Sequence, residues 1–307
     1  MPFVPYAGMT WMARRVSKRQ KQSVDISELL LQTAQAMASM HRWSDVFTAA
    51  IESQHYFSSH RVILVTKALA EALYDSKIDF CLKHLRLPYS VFEICFEEGM
   101  NIPGTNLQAP GVLVVAKPSQ AAVDAMDRFL TKATGASLDA SSYRKLFSMR
   151  YTMPEYGLSK ELNTTYVFNV DFEANGDKEI EEVIQSAPDL ANVDAPLNEE
   201  EKRRESSIMR LVVGALCYLS IENAEKGEGK PFNRPRMGIP PSCTILGRTY
   251  TEIARHMRKG HIRHLRHQRY EKAPDGSDRI VWVREHEVGG GQQNELLSAK
   301  KELIDAD

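Results

Sequence analysis

The chain is poor in the residues that staple or anchor a protein. Four cysteines, Cys81, Cys95, Cys217 and Cys243, are spread over 307 residues with no CxxC pair. Each lies among apolar neighbours, so they predict buried thiols in a reducing compartment rather than a disulfide framework or a thiolate metal site. No apolar run approaches the roughly 18 residues that a membrane span needs. The leading stretch, MPFVPYAGMTWMARRVSKRQK, places its basic cluster after its apolar residues, the reverse of a secretory signal. These absences predict a cytoplasmic protein with no membrane partner. Catalytic signatures are missing too: there is no P-loop, no dinucleotide-binding GxGxxG, no HExxH and no GxSxG. Gly289-Gly290-Gly291 opens a polar tail and is a linker, not a phosphate cradle. The sequence therefore reads as a non-enzyme that needs no cofactor and no metal.

Enough is present to fold. Apolar residues make up 43% and charged residues 26%, a balance that excludes wholesale disorder. The net charge of −1 conceals segregation. From Asp171 to Glu201 eleven acidic residues face one basic residue, Lys178; from Arg248 to Arg269 seven basic residues face one acidic residue, Glu252. Such asymmetry speaks of partners more than of fold, although the two segments could also neutralise each other.

Hydrophobic periodicity orders the elements. Residues 1–22 form a basic arm without helical periodicity and are expected to be mobile or only lightly docked. Leu29, Leu30, Ala34 and Met37 repeat at helical spacing, and Ser44 is a candidate cap for a helix over 45–53. Val62, Leu64, Leu69, Leu73, Ile78, Cys81 and Leu85 predict one helix over 60–85, stopped by Pro88. Phe92, Ile94 and Phe96 alternate as a strand, Gly111 to Ala116 reads as a second strand, and Ser119 caps a helix to about Lys132. A short helix is expected over 141–149 and a third strand over 164–172, with a short helix within 178–186. Asn198 caps a long buried helix to about Asn223, with Glu199, Glu200 and Glu201 at the positive end of its dipole. A Gly- and Pro-rich connector follows over 227–241.

Beyond it the pattern predicts a helix from Thr249 to Lys259 ended by Gly260, a strand over 261–270, a turn at Pro274-Asp275-Gly276-Ser277, and a return strand over 279–284. His261, Arg263, Leu265, His267 and Arg269 share one face of the first strand, and both faces are heavily polar, so a central core strand is not expected. Trp282 is the expected anchor of this hairpin. The candidate partner-binding residues are Arg255, Arg258, Lys259, His261, Arg263, His264, Arg266, Arg269 and Trp282. Arginine and lysine can serve phosphates, His and Tyr can stack on bases, and Arg with aromatics equally suits a protein interface. A solvated hairpin with no partner is the plainer alternative. His256, His261, His264 and His267 lack anionic co-ligands and stand among cations, which argues against a metal site. A metal-independent nuclease using His261 or His264 stays open on chemistry alone.

Together these elements predict an α+β protein: a helix-rich N-terminal half with a small antiparallel sheet, then a C-terminal helix with a basic β-hairpin. The expected divisions are a basic arm over 1–22, a core over 23–172, an acidic linker over 173–197, a C-terminal module over 198–290 and a polar tail over 291–307.

One block carries a resemblance. Arg258-Lys259-Gly260-His261, then Val281-Trp282-Val283 with Val288-Gly289, resembles the C-terminal signature of a phage and plasmid protein family that includes a type V-A anti-CRISPR protein. Leu219-Ser220-Ile221-Glu222-Asn223, the Pro-rich connector and Ile245-Leu246-Gly247-Arg248 follow the same order, and Leu87-Pro88 with the 92–96 strand resembles the family's N-terminal half. The specific likeness spans about 208–290. It implies a non-enzymatic mobile-element protein in a bacterial host, which binds the N-terminal segment of a nascent target protein and brings about loss of its mRNA. The implied partners are that polypeptide and the ribosome or message beside it. Ile262, Arg263, Leu265 and Arg266 stand where the family usually carries Trp, His, Tyr and Trp, which replaces aromatic character with charge. The alternative function is an RNA- or DNA-binding regulator using the basic 248–270 segment.

Overall fold

Arg61-Val62-Ile63-Leu64-Val65 forms an internal strand of the main sheet, β1 (Arg61–Val65). It has parallel neighbours on both edges, β3 (Val91–Phe96) and β8 (Ser242–Leu246), with Ile63 opposite Ile94 and Thr244. A parallel strand covered on both faces carries an unbroken apolar run rather than an alternating one. That run also fits a helical stripe, which is why one helix was expected over 60–85. The structure instead divides the segment into β1, α3 (Lys67–Asp75), β2 (Lys77–Asp79) and a short 3-10 turn at Leu82–His84. The computed structural model describes residues 3–9, 25–79, 81–85, 87, 89–137, 146–154, 163–186, 198–220, 226–228, 242–247, 257–258, 261–265, 270, 272, 279–283 and 286–287.

Outward from β3 the sheet continues antiparallel through β4 (Val112–Ala116), β5 (Leu146–Pro154) and β6 (Asn163–Asp171). Outward from β8 it ends at the three-residue β7 (Lys226–Glu228). The order is β6-β5-β4-β3-β1-β8-β7, a mixed seven-stranded sheet, larger than the small antiparallel one expected. The class is α+β, as the sequence indicates. The helix expected over 141–149 is contradicted where it is described, because Leu146 begins β5.

A one-turn helix, α5 (Phe172–Asn175), follows β6 directly. Helices cover both faces. On one face α3, α6 (Ile180–Gln185) and α7 (Glu199–Ser220) pack on Ile63, Phe92, Ile94, Phe96, Val114, Phe147 and Met149. On the other, α1 (Ile26–Ser39), α2 (Trp43–Gln54) and α4 (Gln120–Thr134) pack with Val91, Leu113 and Val115. Each fully buried Leu, Ile, Val or Phe contributes roughly 1.5–3 kcal/mol, so these two layers dominate stability. Caps fix the helix ends. Asn198 Oδ1 accepts from Glu201 N–H at 2.9 Å while Glu201 Oε2 accepts from Asn198 N–H at 2.8 Å, a reciprocal capping box. Ser119 accepts from Ala122 N–H to start α4, as its position predicts. Ser44 does not cap: it lies inside α2, and its carbonyl accepts from Thr48 Oγ1.

The expected divisions do not separate two cores. Helix α7 and strand β8 come from the supposed C-terminal module, yet Leu211, Val212, Leu216 and Leu246 share one core with Phe92 and Phe147. Within the supposed linker, Ile180, Val183 and Ile184 of α6 are buried in that same core; 187–197 lie outside the described residues. The arm, expected to be mobile or only lightly docked, is docked over 3–9, with Tyr6 fully buried. Residues 10–24 and the tail over 291–307 lie outside the described residues.

A second sheet orders β11-β10-β2, with β10 (His261–Leu265) parallel to β2 and antiparallel to β11 (Arg279–Val283). The return strand is present as predicted, His261 lying opposite Val283 and Leu265 opposite Arg279. Strand β10 is the middle strand of this three-stranded sheet, with backbone ladders to both β2 and β11. Met257–Arg258 forms the strand β9, paired with β12 (His286–Glu287), where a helix was expected. Among the described residues no helix is long and apolar enough to cross a membrane.

Candidate functional site

Charged residues inside buried strands mark the site. On β3, Val91, Glu93 and Cys95 face the α2 layer, and Glu93 is fully buried. The pairing places Glu93 beside Leu113 on β4, and Leu113 beside Arg150 on β5. Arg150 is buried as well, its Nε donating to Thr48 Oγ1 at 3.1 Å and its Nη1 to Ser148 Oγ at 2.6 Å. From above, α2 contributes Thr48 and Glu52, and its end widens into a π turn over His55–Ser59. That turn packs His55, Tyr56 and His60 edge to face, with ring centroids 4.7–5.3 Å apart. π turns recur at functional sites. His55 Nε2 lies 3.5 Å from Glu93 Oε2.

The segment 3–9 closes this cluster. Phe3 bridges Glu97, and Val4 N–H donates to Phe96 C=O at 2.9 Å. Tyr6 N–H donates to Glu93 Oε1 at 2.6 Å, and Cys95 Sγ donates to the same oxygen at 3.1 Å. Tyr6 O–H and Met9 N–H both donate to Glu52 Oε1, at 3.1 and 3.0 Å. Thr152 Oγ1 donates to Ala7 C=O at 3.0 Å. Burial, then the adjacent Glu52 carboxylate, push the Tyr6 phenol well above its ordinary range, so it remains a donor. The carboxylates thus grip polypeptide main chain, in a chamber closed to solvent while the segment stays in place.

None of these residues was singled out from sequence as a candidate site residue. The signal was there in Val91-Phe92-Glu93-Ile94-Cys95-Phe96 and Ser148-Met149-Arg150-Tyr151, where a lone charge interrupts a strand too apolar to be exposed.

The predicted basic residues sit elsewhere. Arg258, His261, Arg263, His264 and Trp282 lie on β9, β10 and β11, and the ladder sets Arg263 opposite Val281 and His264 opposite Ile280. Their side chains lie outside what is described, as do Arg255, Lys259, Arg266 and Arg269 altogether. Among the described residues no group of three His, Cys, Asp or Glu is arranged to hold a metal ion. None of the four cysteines is in a disulfide; Cys95 and Cys217 are buried, and Cys81 and Cys243 half-buried.

Two further surfaces are distinct. A groove of about 1330 Å³ runs between the 103–107 loop, the end of α6 and the first half of α7. Its Arg210 is committed to structure, donating to Tyr74 C=O at 2.5 Å and Ser76 C=O at 2.6 Å and pairing with Glu181. The other surface is β6. This nine-residue strand is outermost in the sheet and pairs only with β5 among the described residues. Edge strands are normally blunted by Lys, Pro, bulges or shortness. The opposite edge, β7, is three residues long and carries Lys226 and Glu228. Strand β6, Asn-Thr-Thr-Tyr-Val-Phe-Asn-Val-Asp, has no Lys, Arg or Pro and is rich in β-branched and aromatic residues.

No family model matches the chain, and no curated protein sequence matches it.

Proposed function

We propose that this chain is a non-enzymatic binding protein that captures an extended polypeptide by strand addition to β6. The observation that carries this reading is the long outer strand without the usual protective devices, at the end of a seven-stranded sheet. Strand addition draws affinity from main-chain hydrogen bonds and specificity from alternate side chains, and it suits a segment that has not yet folded. Of the two alternating strands read from sequence, 92–96 became the internal β3 and 164–172 the terminal β6. The resemblance over 208–290 supports the class of partner: the N-terminal segment of a nascent protein in a bacterial cytoplasm, whose mRNA then declines. The basic 248–269 segment would lie beside the ribosome or message.

Selective ribosome profiling of the tagged chain tests this. Enrichment is expected early in the reading frame of one or a few genes, with their transcripts falling only while translated. Successive strand residues aim their N–H groups at opposite edges. Of Thr165→Pro and Tyr166→Pro, one therefore removes a donor to β5 and the other an outward donor. The outward variant should keep its fold and lose the enrichment. Enrichment that survives in that folded variant removes β6 from the mechanism. A non-translatable transcript that falls equally replaces this reading with RNA recognition by the basic segment.

A further inference from the structure

We infer that the chamber between α2, β3 and β5 is itself a polypeptide-binding site, with residues 3–9 as its resident and exchangeable occupant. This rests on different residues from β6 and does not depend on that reading. The mode of contact is that of a bound peptide. The main-chain N–H groups of Val4, Tyr6 and Met9 and the C=O of Ala7 are each satisfied by a group of the sheet or α2. One side chain, the Tyr6 ring, is fully buried.

Shape adds selectivity at two glycines. A Cβ at Gly8 would collide with the Glu52 carboxylate and the Tyr6 ring, and one at Gly111 would collide with the main chain of Pro5 and Tyr6. An occupant with glycine two residues after an aromatic hydroxyl therefore fits without displacing the Glu52 carboxylate. The ligand class is an extended polypeptide with the pattern Tyr-x-Gly. Glu52 and Glu93 also make departure of the segment selective. Glu52 and Glu93 accept the N–H groups of Met9 and Tyr6, so an incoming chain that presents N–H groups at the same spacing keeps those bonds.

The test uses the full chain with a protease site inserted between residues 10 and 24, cut after folding. The probe is a fluorescent peptide of residues 1–10, followed by anisotropy. The cut protein should exchange its fragment for the probe and saturate at one peptide per chain. The uncut protein should bind at least tenfold more weakly, because a tethered occupant competes at an effective concentration on the order of millimolar. A Tyr6→Phe probe should bind about ten- to a hundredfold more weakly, the value of a hydrogen bond to a charged acceptor. A Gly8→Leu probe should not bind. Folded, cut protein that takes up no probe, or takes up the Gly8→Leu probe equally well, overturns the inference.

Hydrogen exchange on the uncut chain covers the case in which the cut protein unfolds. The amides of Val4, Tyr6 and Met9 should exchange at least tenfold faster than those of Ile94 and Val114, reporting local opening. Equal rates mean that the segment leaves only on global unfolding, which also overturns the inference.

Discussion

Replacing Tyr6 by phenylalanine removes one oxygen and little else. The ring stays buried, and the hydrogen bond from its hydroxyl to Glu52 Oε1 is lost. A hydrogen bond to a charged acceptor contributes roughly 1.5–3 kcal/mol. With about 2.1 cal/mol/K of unfolding entropy per residue, a chain of 307 residues should melt about 2–5 °C lower. Tyr6→Ala also empties the ring's volume and should cost about 3–5 kcal/mol. Urea titration followed by circular dichroism measures both, and a cycle with Glu52→Gln isolates the coupling between the pair. The pH dependence supplies a second signature. Because the folded phenol ionises well above its ordinary 10.0, the unfolded chain releases that proton first, and stability falls as pH rises beyond 10.0. Tyr6→Phe removes that part of the slope. If Tyr6→Phe and Tyr6→Ala each change stability by less than about 0.5 kcal/mol, residues 3–9 are not docked and the reasoning fails.

Other outcomes follow from single groups. Burial raises the Glu205 carboxyl above its ordinary 4.5 despite opposing contacts from Tyr151 and Arg204. The folded state therefore holds its proton longer, and stability should fall as pH climbs from 4.5 through the raised value, a slope that Glu205→Gln removes in acid-range melting curves. Asn198→Ala breaks the capping box of α7 and should cost about 1 kcal/mol by urea titration. Cys217, whose thiol burial pushes up, and buried Cys95 should resist Ellman's reagent in the native protein, while Cys81 and Cys243 react. Four thiols reacting at one rate would contradict the core assignment.

How much of this was legible in sequence depended on whether local signals agreed with burial. The capped helices α4 and α7 were readable because Ser119 and Asn198 announce them and the chain obeys the cap. The 164–172 alternation became β6, and the return strand became β11, because period two has no helical competitor there. Strand β1 was misread because four apolar residues, Val62 to Val65, buried on both faces look the same in either period. Strand β5 was misread because Arg150 and Ser148 break its apolar pattern, and only the buried polar chamber explains them. The two-module division failed for a topological reason. Strand β8 inserts beside β1 from 181 residues away in sequence, a pairing that no local pattern encodes.

The chamber raises the question of why a core should contain two carboxylates at all. Buried ions are costly, and well-packed apolar replacements are often as stable or more so. Leucine at positions 52 and 93 would remove that cost, yet it would strand the main-chain donors of Tyr6 and Met9 without acceptors. The carboxylates therefore make sense as acceptors for one polypeptide register. A slip of one residue would bring the side chain of Ala7 or Met9 to the position that Gly8 occupies, against the Glu52 carboxylate. The same slip would carry the Tyr6 hydroxyl out of line with its acceptor. An apolar chamber would hold any greasy segment in several registers, whereas this one holds a single spacing of donors around a single glycine. That discrimination belongs to a recognition site, and it is what the peptide-exchange experiment measures.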